Sequence, residues 1–130
     1  MCAIGSGVAP FLGMIRHKLI QVKNSDASTH TFKRMRLVYG YRHKVTDAIE
    51  SDFLAEMVEK QILNELDCIE SHNTSPKYYV QHYLGDNGHV VENEILAEDA
   101  VFYACGLADK EAADVQGCYC CDQGEDQGVL

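Results

Sequence analysis

The sequence predicts an α/β fold, a doubly wound parallel sheet of about four to five strands flanked by helices. Three observations lead there. Short β-rich runs alternate with segments whose apolar residues recur every three or four positions, the pattern of parallel strands joined by crossover helices. Glycine, basic or hydroxyl residues stand directly after these strand runs, at the edge where such sheets bind ligands. The chain has 130 residues, 46% of them hydrophobic, which suits one domain with a real core and fits two poorly.

The first run, Cys2-Ala3-Ile4, is a stub leading into Gly5-Ser6-Gly7. Pro10 opens a helix, because proline's missing N–H has no intrahelical partner in the first turn. Phe11, Ile15 and Leu19 form its apolar face, and a polar loop at 24–29 ends the unit. Leu37-Val38-Tyr39-Gly40-Tyr41 is a compact strand signal, followed by the basic turn Arg42-His43-Lys44. Asp47 and Glu50 are spaced as a capping pair for an amphipathic helix reaching about residue 62, carried by Ile49, Phe53 and Met57. Leu66-Asp67-Cys68-Ile69-Glu70 is a weaker third strand, and 71–76 a turn-rich loop. Residues 77–84 begin a helix that Asp86-Asn87-Gly88 breaks, and 90–96 form another short one. Ala100-Val101-Phe102-Tyr103-Ala104 reads as the best buried strand of the second half, ending at Cys105-Gly106. Residues 108–115 form a last helix stopped by Gly117, so the domain covers 1–117 and a loose, acidic, cysteine-containing tail covers 118–130.

The net charge is −9, yet residues 1–44 carry eight Lys/Arg and one acid, Asp26. Overall acidity argues against nucleic acid as a partner. The basic third is either a solvated face or a place for one small anion. No run of about 18 apolar residues is present, so no membrane segment is expected. No secretory signal is evident, and the six cysteines lack the spacing of a disulfide framework, so a reducing, cytoplasmic location is expected. Cys2, Cys68 and Cys105 read as buried free thiols. Cys118, Cys120 and Cys121 crowd together in a way that fits zinc poorly, so no metal is expected.

Gly5-Ser6-Gly7-Val8-Ala9-Pro10 has the composition of a phosphate loop. Gly5 allows a tight turn, Gly7 lets backbone approach a phosphate, and Ser6 can donate to it. A purely structural turn has the same composition. The longer run through Phe11 resembles the signature of the ferredoxin–NADP reductase superfamily. Tyr39-Gly40-Tyr41-Arg42 resembles that family's second strand end. Ser71, followed by Lys77-Tyr78-Tyr79-Val80-Gln81-His82, resembles the 2′-phosphate clamp of its diflavin branch. Tyr103-Ala104-Cys105-Gly106 resembles a later strand end, and Ala113-Asp114-Val115-Gln116 the helix after it.

The resemblance implies an NADP(H)-binding module that serves a flavin-dependent oxidoreductase. Hydride would pass from NADPH to FAD on a separate flavin-binding domain or flavoprotein, and electrons onward to an acceptor such as a heme protein. It implies that Gly5, Ser6, Gly7 and Arg42 meet the pyrophosphate. It implies that Ser71, His72, Lys77, Tyr78, Tyr79, Val80 and Gln81 surround the 2′-phosphate and its ribose. Cys105 would stand beside the nicotinamide as the catalytic residue, and Asp114 would touch the cofactor. Residue by residue, plainer readings stay open: Ser71 as a turn cap, Lys77 as a solvated residue, Tyr79 as core, Cys105 as a buried thiol and Asp114 as a surface acid. The family has arginine where His72 stands, cysteine where Tyr41 stands and an acid where Leu107 stands. No Arg-x-Tyr-Ser flavin motif occurs in these residues, so FAD is expected on the partner and the isolated chain is expected to be inactive. A second reading, from another class, is a non-catalytic or vestigial nucleotide-binding fragment.

Overall fold

In the computed structural model, which describes residues 1–24, 33–96 and 100–106, strand β1 (Cys2–Ile4) passes through a 3-10 turn (Gly5–Val8) into α1 (Ala9–Asn24). There follow β2 (Arg36–Tyr41), a single helical turn α2 (Lys44–Asp47), α3 (Ser51–Glu59), β3 (Glu65–Glu70), α4 (Val80–Asp86), α5 (Gly88–Ile95) and β4 (Ala104–Cys105). The four strands form one parallel sheet in the order β3-β2-β1-β4. Successive strands thus step outward from β1 to β3, and the chain then returns to the far side of β1.

Alternation along the strands explains how both faces become covered. Side chains two apart share a face. Leu37, Tyr39 and Tyr41 of β2 join Ala3 of β1, Phe11, Leu12 and Ile15 of α1, and Leu54 and Met57 of α3 in one core. Cys2, Val38 and Ile69 face the other way and meet Val80 and Leu84 of α4. Helices therefore lie on both faces, as the sequence reading expects of a doubly wound sheet.

Several boundaries differ from those read off the sequence, each for a tertiary reason. The helix expected over 49–62 is shortened to Ser51–Glu59. The buried Tyr39 phenol accepts the Ile49 N–H at 3.0 Å and donates to the Asp47 carbonyl at 3.4 Å. That holds 48–50 out of the helix, with Glu50 in the left-handed region at φ 56°. Asp47 caps backwards, its carboxylate accepting the His43 N–H at 3.2 Å. Residues 77–79 are not helical. Tyr79 is extended and its N–H is taken by His82 Nδ1 at 3.0 Å, so α4 starts at Val80.

The run 100–104 is not the buried strand its composition suggests. Only Ala104–Cys105 pairs, on β1, and Val101 and Tyr103 are 64% and 45% exposed. Among the described residues β4 borders β1 alone, at the end of the sheet, and the apolar residues leading into it are left largely uncovered. Cys2 is buried, and burial pushes its thiol up to about 11, which keeps it inert. Cys68 is exposed and Cys105 half-buried, so not all three lone cysteines are core thiols. The last helix, Leu107, Asp114 and the tail lie outside the described residues. Among the described residues no helix is long and apolar enough to cross a membrane.

The basic third of the sequence is divided by the fold. Arg36, at the start of β2, meets Asp67 at 2.9 Å, Glu65 at 3.1 Å, Glu94 of α5 at 3.2 Å and the Tyr83 phenol of α4 at 3.1 Å. Burial alone would lower its pKa, but Asp67, Glu94 and Tyr83 outweigh burial and raise it. Arg34 pairs with Glu65, and Arg16 pairs with Glu50 at 2.8 Å while lying over the Phe53 ring. Lys18 is buried and donates to the Lys33 carbonyl at 3.0 Å. Arg42 is left at the opposite, carboxyl edge of the sheet.

Candidate functional site

Parallel strands end their chains on one edge, and there the loops after β1, β2 and β3 converge. They enclose a cleft of about 720 Å³ with the start of α4 and with α2. That volume falls within the range of small-molecule sites. Its floor is apolar, with Ile4, Ile69 and Val80. Its rim carries Gly5, Ser6, Arg42, His72, Lys77, Tyr79 and Gln81.

Two glycines shape this edge, each by what its missing Cβ leaves room for. Gly5 holds φ +55°, a left-handed turn with open space about it. Gly7 is spent differently from the sequence expectation. It does not line the cleft; a Cβ there would collide with the Cys105 carbonyl and stand 2.8 Å from Gly106 Cα. Its bareness lets the 3-10 turn close against β4.

Gly40 plays the corresponding part for α4, since a Cβ there would overlap a methyl of Val80. Gly40→Ala is expected to push Val80 outward, together with the Tyr79–Gln81 wall. The expected cost is about 1–3 kcal/mol, typical of overpacking. Chemical denaturation and nucleotide titration on the same sample check this, with affinity expected to fall even where the protein remains fully folded.

Most residues proposed from the sequence are brought together: Gly5, Ser6, Arg42, Ser71, His72, Lys77, Tyr79, Val80 and Gln81 all line the cleft. Tyr78 turns away to the second core, its phenol donating to Asp86 at 2.7 Å. Cys105 lies beyond Gly7, packed against the first core. Ser71 is only 7% exposed. Its hydroxyl donates to the Tyr41 carbonyl at 3.2 Å and lies 3.1 Å from His72 Nδ1. A hydroxyl has one proton, and in this arrangement Ser71 has none to offer an anion.

The sequence reading gave His43, Thr46, Asp47 and Ile49 no part in the site. Thr46, Asp47 and Ile49 line the cleft, and the His43 ring lies 5.1 Å from that of His72. The available signal was the basic turn directly after the second strand. Desolvation by neighbouring groups, then Lys77, His43 and Arg42, lower the pKa of the exposed His72 against the pull of Asp47. Tyr41 is pushed up to about 12, chiefly by burial, and stays a neutral phenol. Among the described residues no group of three His, Cys, Asp or Glu is placed to hold a metal ion.

A parallel sheet with helices on both faces, its glycine turn and cationic groups opening on one carboxyl-edge cleft, defines an α/β nucleotide-binding module. The chain belongs to the oxidoreductase NAD-binding domain family, whose model matches residues 1–115. It is 34% identical over 116 residues to NADPH–cytochrome P450 reductase of Candida maltosa, covering 86% of this chain and 16% of that protein. To methionine synthase reductase of Mus musculus it is 31% identical over 122 residues, covering 88% and 17%. To NADPH–cytochrome P450 reductase of Sus scrofa it is 32% identical over 130 residues, covering 100% and 18%. The resemblance to the diflavin branch holds across nearly the whole chain, which spans less than a fifth of the length of each of these relatives.

Proposed function

We propose that this chain binds NADP(H) and presents it to a flavin held on a partner domain, as the nicotinamide-nucleotide module of a flavin-dependent oxidoreductase. The observation that carries this reading is the convergence of Gly5, Ser6, Arg42, His72, Lys77 and Tyr79 on one cleft. Those residues suit the nucleotide chemically. Ser6 and Arg42 would hold the pyrophosphate, charge-assisted donors on a diffuse anion. Lys77 and His72 would hold the 2′-phosphate, with Ser71 orienting the His72 ring. Tyr79 would cover the adenine, the apolar floor would exclude water beneath it, and Gln81 would reach the ribose hydroxyls. When bound, the nucleotide would supply the hydride and FAD on the partner would accept it, and a heme protein is the acceptor class in keeping with the relatives named cytochrome P450 reductase. Cys105, one strand away, would stand nearer the nicotinamide than the phosphates, and Asp114 would complete that end.

The test is calorimetric titration of the purified chain with NADP, NAD and 2′,5′-ADP. NADP is expected to bind more tightly than NAD. Lys77→Ala should weaken NADP and 2′,5′-ADP alike, by roughly 1.5–3 kcal/mol for a charge-assisted bond. Arg42→Ala should weaken NADP more than 2′,5′-ADP, which lacks the pyrophosphate. The chain alone is expected to show no flavin absorbance and to oxidise NADPH only when a flavoprotein is supplied. Absence of nucleotide binding, or turnover without flavin, defeats the reading.

A further inference from the structure

Two imidazoles stand at the ends of neighbouring strands. His43 lies two residues past β2 and His72 two past β3. The register that pairs Tyr41 with Glu70 brings their rings to 5.1 Å between centroids, tilted by 57°. Backbone bonds fix both. The His43 N–H donates to Asp47 Oδ2 at 3.2 Å, and its carbonyl accepts the Asp47 N–H at 2.9 Å. The His72 N–H donates to the Arg42 carbonyl at 3.2 Å. The arrangement that makes both contacts hydrogen bonds has Ser71 Oγ donating to the Tyr41 carbonyl and accepting from His72 Nδ1–H at 3.1 Å. Neutral His72 therefore keeps its lone pair on Nε2. A lone pair repels an anion, and a proton added there turns the same atom into a donor.

Charged groups surround the pair from every neighbouring element. Arg42 at the end of β2, Lys77 ahead of α4 and Lys44 on α2 are cationic, and Asp47 on α2 and Glu70 of β3 are anionic. Glu70 accepts the Lys44 N–H at 2.9 Å. Desolvation first, and the nearby cations Lys77 and Arg42 with it, favour the neutral form of His72. A phosphate dianion set among them reverses that balance, since an opposite charge within a few ångströms favours the protonated ring.

We propose that His43 and His72 form a proton-linked phosphate lock, so that a 2′-phosphorylated nucleotide binds with uptake of a proton that its unphosphorylated counterpart does not take up. The inference rests on reading the cleft as a 2′-phosphoadenosine site and adds the regulation of that site: pH sets its selectivity. The sign is definite. The free His72 ring is neutral at and above neutral pH and the bound site holds the added proton, so affinity strengthens as pH falls. It levels off near pH 6, where the 2′-phosphate takes up its own second proton.

The experiment is calorimetric titration of the full chain with 2′,5′-ADP and with 5′-AMP from pH 6 to 8. Each is run in two buffers of different ionisation enthalpy, for the native chain and for His43→Gln, His72→Gln and His72→Arg. Both histidines are exposed, so these variants should fold, and circular dichroism verifies it. The expected result is net proton uptake with 2′,5′-ADP alone, its affinity rising by up to about tenfold per pH unit for each proton taken up. His72→Gln should remove most of that uptake and His43→Gln part of it, and His72→Arg should bind 2′,5′-ADP tightly at every pH. A preference for 2′,5′-ADP with no proton uptake, or with uptake unchanged in both glutamine variants, overturns the lock and leaves the cleft assignment standing. Equal binding of the two ligands, or binding of neither, overturns the assignment and the lock together.

Discussion

Gly7→Ala is expected to destabilise the protein far more than its single methyl suggests, by roughly 3 kcal/mol or more. The new Cβ would press on peptide backbone, with the Cys105 carbonyl carbon at 2.6 Å and Gly106 Cα at 2.8 Å. No rotamer change can relieve such a clash, so the cost exceeds ordinary overpacking. Either the 3-10 turn or the β1–β4 pairing must yield. For a domain of this size the midpoint of thermal unfolding should fall by about 10 °C. Gly5→Ala is the matched control: its Cβ would meet nothing within 4 Å. It bears only the cost of a left-handed backbone, about 1–2 kcal/mol. Thermal and denaturant unfolding of the two variants check this. A Gly7→Ala protein as stable as the parent, with nucleotide binding alone abolished, would return Gly7 to the phosphate loop role that its sequence context suggests.

Arg36→Met should be the second severe variant. It leaves Glu65, Asp67 and Glu94 facing one another at the amino edge, with Arg34 at the periphery and the Met1 ammonium, which Glu94 also attracts, as the cations that remain among the described residues. The Arg36 side chain is 15% exposed and its partners about twice that, so solvent screens part of the loss. Roughly 2–4 kcal/mol is expected, below the full cost of orphaning a buried charge. The pH dependence gives the cause a signature. Crowded carboxylates have folded-state pKa values raised by mutual repulsion. The variant's deficit should therefore be full at neutral pH and shrink as pH falls through the carboxylate range. Denaturant unfolding at pH 7 and pH 5 measures it, and a deficit independent of pH would assign the loss to packing of the arginine stem instead. Arg36→Lys should recover part of the loss, since a single ammonium replaces only some of the guanidinium's donors. Arg36 also bonds the Tyr83 phenol in α4, so loosening this edge should weaken nucleotide binding at the other.

What could be read from the linear chain is what local physics controls. Apolar periodicity depends on neighbours a few residues away, so the α/β alternation, the order of the elements and the sheet's parallel character were legible. The strand ends were legible too, because glycine and basic residues after β-rich runs mark the carboxyl edge wherever the strands finally pair. Gly5, Ser6 and Arg42 were found that way, Lys77 and Tyr79 through the family resemblance, and all five meet at one cleft.

What could not be read depends on partners from 10 residues distant, as for Ile49 and Tyr39, to nearly the whole described chain, as for Gly7 and Cys105. Nothing near Arg36 in the chain says that Asp67, Tyr83 and Glu94 will take its charge, so a basic stretch that looked uniform is divided between structure and site. Nothing beside Ile49 announces that the Tyr39 phenol will take its N–H and interrupt a helix. The bareness of Gly7 and Gly40 has meaning only once Cys105 and Val80 arrive against them, and the Ser71 proton is directed by the Tyr41 carbonyl. His43 and His72 are 29 positions apart and become neighbours through the β2–β3 register alone. Periodicity is a property of a segment, whereas the use of a proton, a charge or an empty Cβ is settled by whichever group packing brings within a few ångströms.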